Sequence, residues 1–495
     1  MNAKPLKNIK SRQSIFLSLA FCFIFFDVEA QPVTQDNVAK SNFYTKPAST
    51  KFQKPSFFKK IFIGRNYSEE WSTAVTVPVF VLSQTAFTIK ELGGGQQTRS
   101  LQLLESNGRE WALRSVDKHV EKVILPKGVP RGLILPIVGQ MVSASHPYAA
   151  PVVYELARAA GIVTAKPTLV YVAEDGALGK YDSLFAGTLC FLELREPLFN
   201  GTKTKSTLQM MEDLVEDKTN RILQKKVLKA RLLDMLVADW DRYEDQWRWA
   251  TNDSGQLNFH YAIPRDRDQA FFHSNGLLVK MAGLFGAKQF VGFRRENLKL
   301  NRLNKKSFGF DRIFLSALDE QDWKETIDDF EKSITDSVIA FAVRQMPASI
   351  YALSGAEIER WLKSRRAGLK QQWTKYYKHL SGEVLVDGSD AAELFELSVQ
   401  NNKLVVTVTD IVRNTKRYVR AFNADETYAL QLNGFGGNDR FVLPASVSSS
   451  IKIKFNGGDG ADVYELEGKI KNTIHENLTE KNQFIHTNGS SVSLE

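Results

Sequence analysis

The chain predicts an α+β fold of at least two domains, and three changes of pattern along it carry that expectation. Short strand-like runs crowd residues 58–196, and helical periodicity takes over to about residue 380. Period-2 alternation with Gly, Asn and Asp punctuation then fills 381–495, and such a succession of strands, helices and strands is that of separate layers rather than one wound sheet. At 495 residues, 43% hydrophobic and 24% charged, the composition is that of folded globular protein and the length allows two or three domains.

The N-terminus reads as a targeting segment. Lys4, Lys7, Lys10 and Arg12 precede the apolar stretch Ile15–Phe26, which is too short to span a bilayer as a helix. Val28-Glu29-Ala30 ends it with a small residue, so residues 1–30 are expected to be a cleavable secretory signal. The mature protein is then exported, to the periplasm, the cell envelope or the medium. Removing four basic and two acidic residues takes the formal net charge from +9 to +7 and leaves Cys190 alone. No intramolecular disulfide is then available. The mild basic excess does not argue for a nucleic-acid partner and suits a nucleotide, a phosphate or a lipid surface. Residues 31–57, rich in Gln, Asn, Lys, Ser, Thr and Pro, read as a mobile tether.

Strands are expected over Val75–Leu82, Phe87–Glu91, Arg99–Leu104, Glu110–Ser115, Pro167–Val172 and Leu189–Arg195, with Asn107-Gly108 turning one hairpin. A helix over Pro151–Ala160 interrupts them, and Gly161 is placed to end it. Residues 219–240 turn helical, with Leu228, Leu232, Met235 and Leu236 on one face. Further helices are expected over Glu320–Gln345 and Ser354–Leu380, the second opening on the capping-box pattern Ser354-Gly355-Ala356-Glu357.

Four constellations carry chemistry. Gly93-Gly94-Gly95-Gln96-Gln97-Thr98, between two expected strands, would let backbone N–H groups approach an anion; a plain glycine-rich hairpin is the other explanation. Next, Trp111-Ala112-Leu113-Arg114 puts a cation on the face it shares with Ala112, with Lys118 four residues on. A helix end then carries Asp239-Trp240-Asp241-Arg242-Tyr243-Glu244-Asp245-Gln246, four carboxylates among aromatics, suited to proton acceptance and metal holding. Finally Tyr261-Ala262-Ile263-Pro264 leads into Asp266-Arg267-Asp268-Gln269-Ala270-Phe271, whose hard oxygens suit magnesium or manganese. A salt-bridged surface turn is the competing explanation for each acidic cluster.

In this order, over roughly residues 85–280, the constellations resemble the atypical protein-kinase-like fold. The similar families are the CotH-type spore-coat kinases, the secretory-pathway casein kinases, the HipA-type toxin kinases and the phosphatidylinositol 4-kinases. The resemblance implies a bilobal kinase-like domain over 58–380, with a β-rich N-lobe to about 196 and a helical C-lobe beyond, followed by a small all-β domain. It implies Mg or Mn with a nucleotide or other phosphate donor, and an unidentified hydroxyl acceptor. Asp241 would orient or deprotonate that hydroxyl. Asp266 or Asp268 would hold the metal with Gln246, and Gly93, Gly94, Gly95 and Gln96 would cover the phosphates. Arg114 or Lys118 would supply the strand cation and Glu155 its partner, while the hinge Phe191–Glu196, including Glu193, would meet an adenine edge. Arg114 replaces the family's Lys, and Gln246 replaces its Asn or Glu, so a degenerate pseudokinase stays open beside an active one. The stretches Gly93–Ser100, Leu113–Lys118, Asp239–Trp249 and Pro264–Ala270 are also similar to a family of exported Bacteroidota proteins, some joined to metallophosphatase or outer-membrane barrel regions. That implies cell-envelope association and no settled activity.

Near the C-terminus, Gly457-Gly458-Asp459-Gly460-Ala461-Asp462 resembles the calcium-binding nonapeptide of RTX proteins, with Gly434-Phe435-Gly436-Gly437-Asn438-Asp439 a looser copy 23 positions upstream. The resemblance implies calcium at Asp439, Asp459 and Asp462. The wide spacing argues against a nine-residue stacked roll; glycine-rich turns of a β-solenoid or sandwich edge are the alternative. Two functions therefore stand: metal-dependent phosphoryl transfer, or a non-catalytic envelope-binding module with a calcium-stabilised β domain.

Overall fold

A computed structural model describes residues 42–52, 57–62, 64, 66–94, 98–118, 142–197, 203–253, 255–274, 276–277, 289–290, 292–294, 298–476, 481–487 and 491–494. The signal segment, Gly95 and Gln96 lie outside them. Among the described residues no helix is long and apolar enough to cross a membrane.

Seven strands build the first sheet: β1 (Phe43–Pro47), β2 (Ala74–Phe80), β3 (Phe87–Gly93), β4 (Ser100–Glu105), β5 (Glu110–Ser115), β6 (Thr168–Val172) and β7 (Leu189–Leu194). Their order is β1-β2-β6-β7-β5-β4-β3. Each expected strand is present, and Gly108 turns the β4–β5 hairpin at φ 83°. β1 is a correction: it lies within the stretch expected to be a tether, yet pairs with β2 residue for residue. Tyr44 stacks on Tyr171 at 3.9 Å between ring centroids, and Ala48 and Phe52 are buried, so the segment has apolar surface to lose by leaving. The helix α1 (Ala149–Ala159) follows β5 and buries Val152, Val153 and Leu156. Gly161, at φ 67°, ends it.

The middle of the chain is helical around one hairpin. In order come β8 (Lys205–Ser206), α2 (Thr207–Glu216), β9 (Asn220–Ile222), α3 (Gln224–Val237), β10 (Trp247–Asp253), β11 (Asn258–Pro264), α4 (Phe308–Phe314), α5 (Glu320–Ser333), α6 (Asp336–Val343) and α7 (Ala356–Ser381). The helix expected over 320–345 breaks because Thr335 caps a new one, its Oγ1 accepting from Val338 N. The capping box expected at Ser354 is absent. Tyr351–Gly355 is a π-helical turn running straight into α7, and buried Ser354 faces His146 Nε2 at 3.4 Å.

From Glu383 the chain forms two facing sheets, ordered β12-β16-β18-β20-β22 and β15-β14-β13-β17-β19-β21. These comprise β12 (Glu383–Ser389), β13 (Glu393–Gln400), β14 (Lys403–Asp410), β15 (Thr415–Phe422), β16 (Ala429–Phe435), β17 (Arg440–Leu443), β18 (Lys452–Asn456), β19 (Val463–Leu466), β20 (Asn472–Glu476), β21 (Gln483–Ile485) and β22 (Ser491–Leu494). From β16 onward successive strands alternate between the sheets and pair in parallel with the coil before. Leu430 lies beside Ile453 and Arg440 beside Val463, so the 23-residue spacing is one solenoid coil. Phe395, Phe441 and Tyr464 stack through its interior at 4.7 and 5.0 Å, and the exposed Phe484 continues the column at 5.5 Å.

The calcium expectation is corrected here. Glu393 N–H donates to Asp439 Oδ1 at 2.8 Å, Asp439 N–H to Asp462 Oδ1 at 2.7 Å, and Asp462 N–H to Asn482 Oδ1 at 2.8 Å. Asp439 and Asp462 are thus buried, each using Oδ1 as a cap for the coil before, while Asp459 is exposed. Among the described residues no three His, Cys, Asp or Glu side chains converge on a metal position. Opposite each acid, five residues earlier, stands a glycine: Gly388, Gly434 and Gly457, with Glu476 next in the column. A Cβ on Gly457 would strike Asp462 Oδ2, Glu476 Oε1 and the Tyr464 hydroxyl. Gly457→Ala should therefore destabilise the solenoid by about 1–3 kcal/mol, read as a lower urea midpoint.

Burial pushes the Asp439 carboxyl up to about 9, with neighbouring Asp462, Glu393 and Glu476 adding to it. The folded state thus holds its proton more tightly than the unfolded chain, where an Asp titrates near about 3.9. The stability this contributes is complete below that value and falls as pH rises toward and through about 9. Denaturant midpoints measured from pH 6 to 9.5 should decline, and Asp439→Asn should flatten the decline.

Candidate active site

The two acidic loops meet because α3 and the β10–β11 hairpin deliver them to the same end of the core. α3 is buried over most of its surface and stops at Ala238, which takes a left-handed φ of 58°. Arg365 of α7 caps its last carbonyls, donating to Leu236 O at 2.7 Å and Met235 O at 2.6 Å. Asp239 then lies buried and Asp241 half-buried. The hairpin returns the chain at Arg265 and Asp266, the latter at φ 52°, a backbone state that Asp tolerates better than most residues. Phe271 N–H donates to Val237 O at 2.7 Å, tying the second loop to the end of α3.

A buried charge network holds both loops. Asp234 of α3 receives Arg231 at 2.7 Å and Arg267 at 2.7 Å, with Arg242 at 3.3 Å. Arg231 also pairs with Asp311 at 2.8 Å, and the Tyr376 hydroxyl donates to Asp311 at 2.6 Å. Arg242 in turn donates to Arg265 O at 2.6 Å and Gln246 O at 3.0 Å. So the first loop's Arg242 grips the backbone of the second, and the second loop's Arg267 grips α3.

Above the loops, β5 and β7 roof a cleft. Arg114 lies 2.8 Å from Glu193 and 3.3 Å from Asp266. Lys118, its side chain only 6% exposed, lies 2.7 Å from Asp268. Thr98, Phe191 and Ile263 also line the cleft. Burial and the neighbouring Asp268 push the Asp266 carboxyl up, and Arg114 and Lys118 pull it back. Asp241 receives Lys306 at 2.5 Å, whose ammonium sits 4.7 Å from the Trp240 ring centroid. Gly93 closes β3 opposite Ser100, and Gly94, at φ 117°, would drive a Cβ into Thr98 O, so glycine is required there.

The structure thus brings together Arg114, Lys118, Asp266, Asp268 and Glu193. Two expectations are corrected. Glu155 pairs with Arg158 of its own helix at 2.7 Å, and Arg114 instead takes its partner from the adjacent strand. Glu193 serves through its side chain, whereas the hinge backbone at Arg195 is occupied: its N–H donates to Glu110 O at 2.8 Å and its carbonyl accepts from Arg265 at 3.0 Å. Gln246 is buried with its side chain beside Tyr243. Reading the sequence missed Asp234 and Lys306, and it placed Asp239 in the first acidic loop without giving it a role of its own. Asp234, three positions from Arg231 on an apolar helix, carried a signal; Lys306, 65 residues from Asp241, carried none. Asp239 is buried with no hydrogen-bond partner for Oδ2 among the described residues. Burial pushes it up to about 7 against the pull of Arg242.

No protein-family profile matches the chain, and no curated protein does. Among solved structures, it is similar to the Helicobacter pylori proinflammatory kinase CtkA, at 11% identity and a TM-score of 0.33, over 60% of this chain and 99% of that one. It is also similar to the Rio2 kinase of Chaetomium thermophilum. The complex with ADP/Mg2+ and phosphoaspartate matches at 13% identity and a TM-score of 0.29, over 59% of this chain and 72% of that one. A second Rio2 structure matches at 10% and 0.30, over 58% and 74%. Likenesses this distant say nothing of chemistry, which is read from the site itself.

Proposed function

We propose that the cleft binds a phosphate donor with magnesium or manganese and transfers a phosphoryl group to a hydroxyl acceptor, outside the cytoplasm if residues 1–30 direct export. The observation that carries this reading is the convergence of two acidic loops, held by one buried network, beneath two cations of the roof. Asp266 and Asp268 offer two hard oxygens toward the cleft, which suits a cation that binds by one or two carboxylates plus the donor's phosphates. That cation would neutralise charge on the phosphates. Arg114 and Lys118 lie where they would hold the donor's oxygens, and Asp241 would orient or accept the proton of the attacking hydroxyl. Arg242 and Arg267 keep the loops in register. Such a reaction asks for positioning and charge more than covalent chemistry.

A second reading has its own observation. Asp241, Asp266 and Asp268 are each ion-paired to a cation of this same chain, an arrangement that would serve a nucleotide-binding envelope module without turnover. The two readings part in one experiment on the full mature chain: thermal shift with ATP and manganese, followed by transfer of labelled γ-phosphate. A shift with transfer supports the enzyme, and a shift without transfer supports the module. No shift with any phosphate ligand would overturn both.

A further inference from the structure

The inner end of the cleft carries arginines that the phosphoryl-transfer reading does not use. On β10 and β11, Arg248 stands opposite Ile263. Strand alternation puts these two and Arg265 on the cleft face, while Trp247 and Trp249 face the core. Arg195 reaches the same space from the roof. Arg195 is neutralised by Glu110 at 3.2 Å. Among the described residues, neither Arg248 nor Arg265 has a carboxylate within ion-pair distance. Arg248 is held by Thr204, through its hydroxyl at 3.1 Å and its carbonyl, and Arg265 by the Arg195 carbonyl at 3.0 Å. These bonds leave most of the five donors of each guanidinium unspent. Glu196 accepts from Thr204 at 2.9 Å through Oε1, and its charge attracts both guanidiniums from beyond ion-pair distance.

Placing like charges side by side in a half-buried cleft is unfavourable. Burial and the repulsion of Arg114, Arg195 and Arg248 outweigh the pull of Glu196 and lower Arg265 to about 10, and burial with Arg195 lowers Arg248 against the same carboxylate. An anion between them would relieve that cost and collect charge-assisted hydrogen bonds. Within the expected hinge Phe191–Glu196, Arg195 is engaged on both its N–H and its carbonyl.

We infer that Arg248 and Arg265 form an anion subsite at the hinge end of the cleft, so that the ligand carries a second phosphate or carboxylate remote from the phosphates facing Asp266 and Asp268. The subsite deepens the phosphoryl-transfer reading and depends on it only for the orientation of the ligand. Two sources share this chemistry: a nucleotide phosphorylated on its ribose, and a linear phosphate chain long enough to span the cleft.

Titration calorimetry on the full mature chain with manganese separates them, using ADP, adenosine 3′-phosphate 5′-diphosphate and linear polyphosphate as probes. At low salt one of the two extended anions should bind at least about tenfold tighter than ADP. Arg248→Gln and Arg265→Gln should each erase that surplus. Should either variant unfold, the wild-type surplus still reports, because it must shrink as salt is raised. Equal affinity for all three probes, or a surplus indifferent to both salt and the variants, overturns the subsite. A surplus without phosphoryl transfer leaves the subsite standing and removes the phosphotransfer reading.

Discussion

Asp241→Asn should lower phosphoryl transfer by about 10²–10⁴-fold, the range that a positioned general base contributes, while leaving the fold intact. The asymmetry follows from where Asp241 stands. Its side chain is 25% exposed and its ion pair is with Lys306, itself 39% exposed. A partly solvated pair of this kind contributes about 0–1 kcal/mol to stability. Rate and thermal midpoint should therefore separate: initial rates collapse and the midpoint stays within a few degrees. If the rate is instead unchanged, Asp241 is not the base and the assignment of the loop fails.

Asp234→Ala should show the opposite balance, losing stability first. Asp234 is fully buried and receives three guanidiniums, from Arg231, Arg242 and Arg267. Arg231 keeps Asp311 and Arg242 keeps Asp239 at 3.9 Å, but Arg267 loses its buried carboxylate partner, and removing one side of such a cluster costs about 3–5 kcal/mol. Part of that loss reaches the site, since Arg242 holds the backbone of Arg265 and Arg267 lies between Asp266 and Asp268. Urea unfolding should show the lower midpoint. The surface pair Lys370–Glu331, with the lysine exposed and the glutamate partly so, is a fitting control: breaking it should move the midpoint little.

Much of this architecture was legible because period and punctuation are local properties. Glu110–Ser115 is a short apolar-centred run preceded by the Asn107-Gly108 turn, and it forms β5 with those ends. The convergence of Arg114, Lys118, Asp266 and Asp268 was readable as an order of motifs, although nothing local states that Lys118 meets Asp268 rather than its neighbour. What stayed hidden depends on tertiary placement. Glu155 is the carboxylate a linear reading offers Arg114, but α1 turns it toward Arg158, and β7 brings Glu193 closer. β1 was hidden by polar composition; only its pairing with β2 and the Tyr44–Tyr171 stack reveal it. The glycine–aspartate turns pointed to a cation because their composition is that of a calcium loop. In the fold, a backbone N–H of the neighbouring coil takes one oxygen of each buried aspartate, and Asp459 stays exposed apart from them.

The column of glycines facing the acid ladder bears on how the solenoid assembles. Coils of similar sequence and length can misthread during folding, with one strand docking against the wrong neighbour or slipping along the right one. Here a slip of one residue would carry a side chain into a glycine's place, against a buried carboxylate that has no room to retreat. It would also strip that carboxylate of the N–H it caps. The ladder thus acts as a proofreading device: correct stacking is the one alignment in which every acid meets both an amide and an empty place.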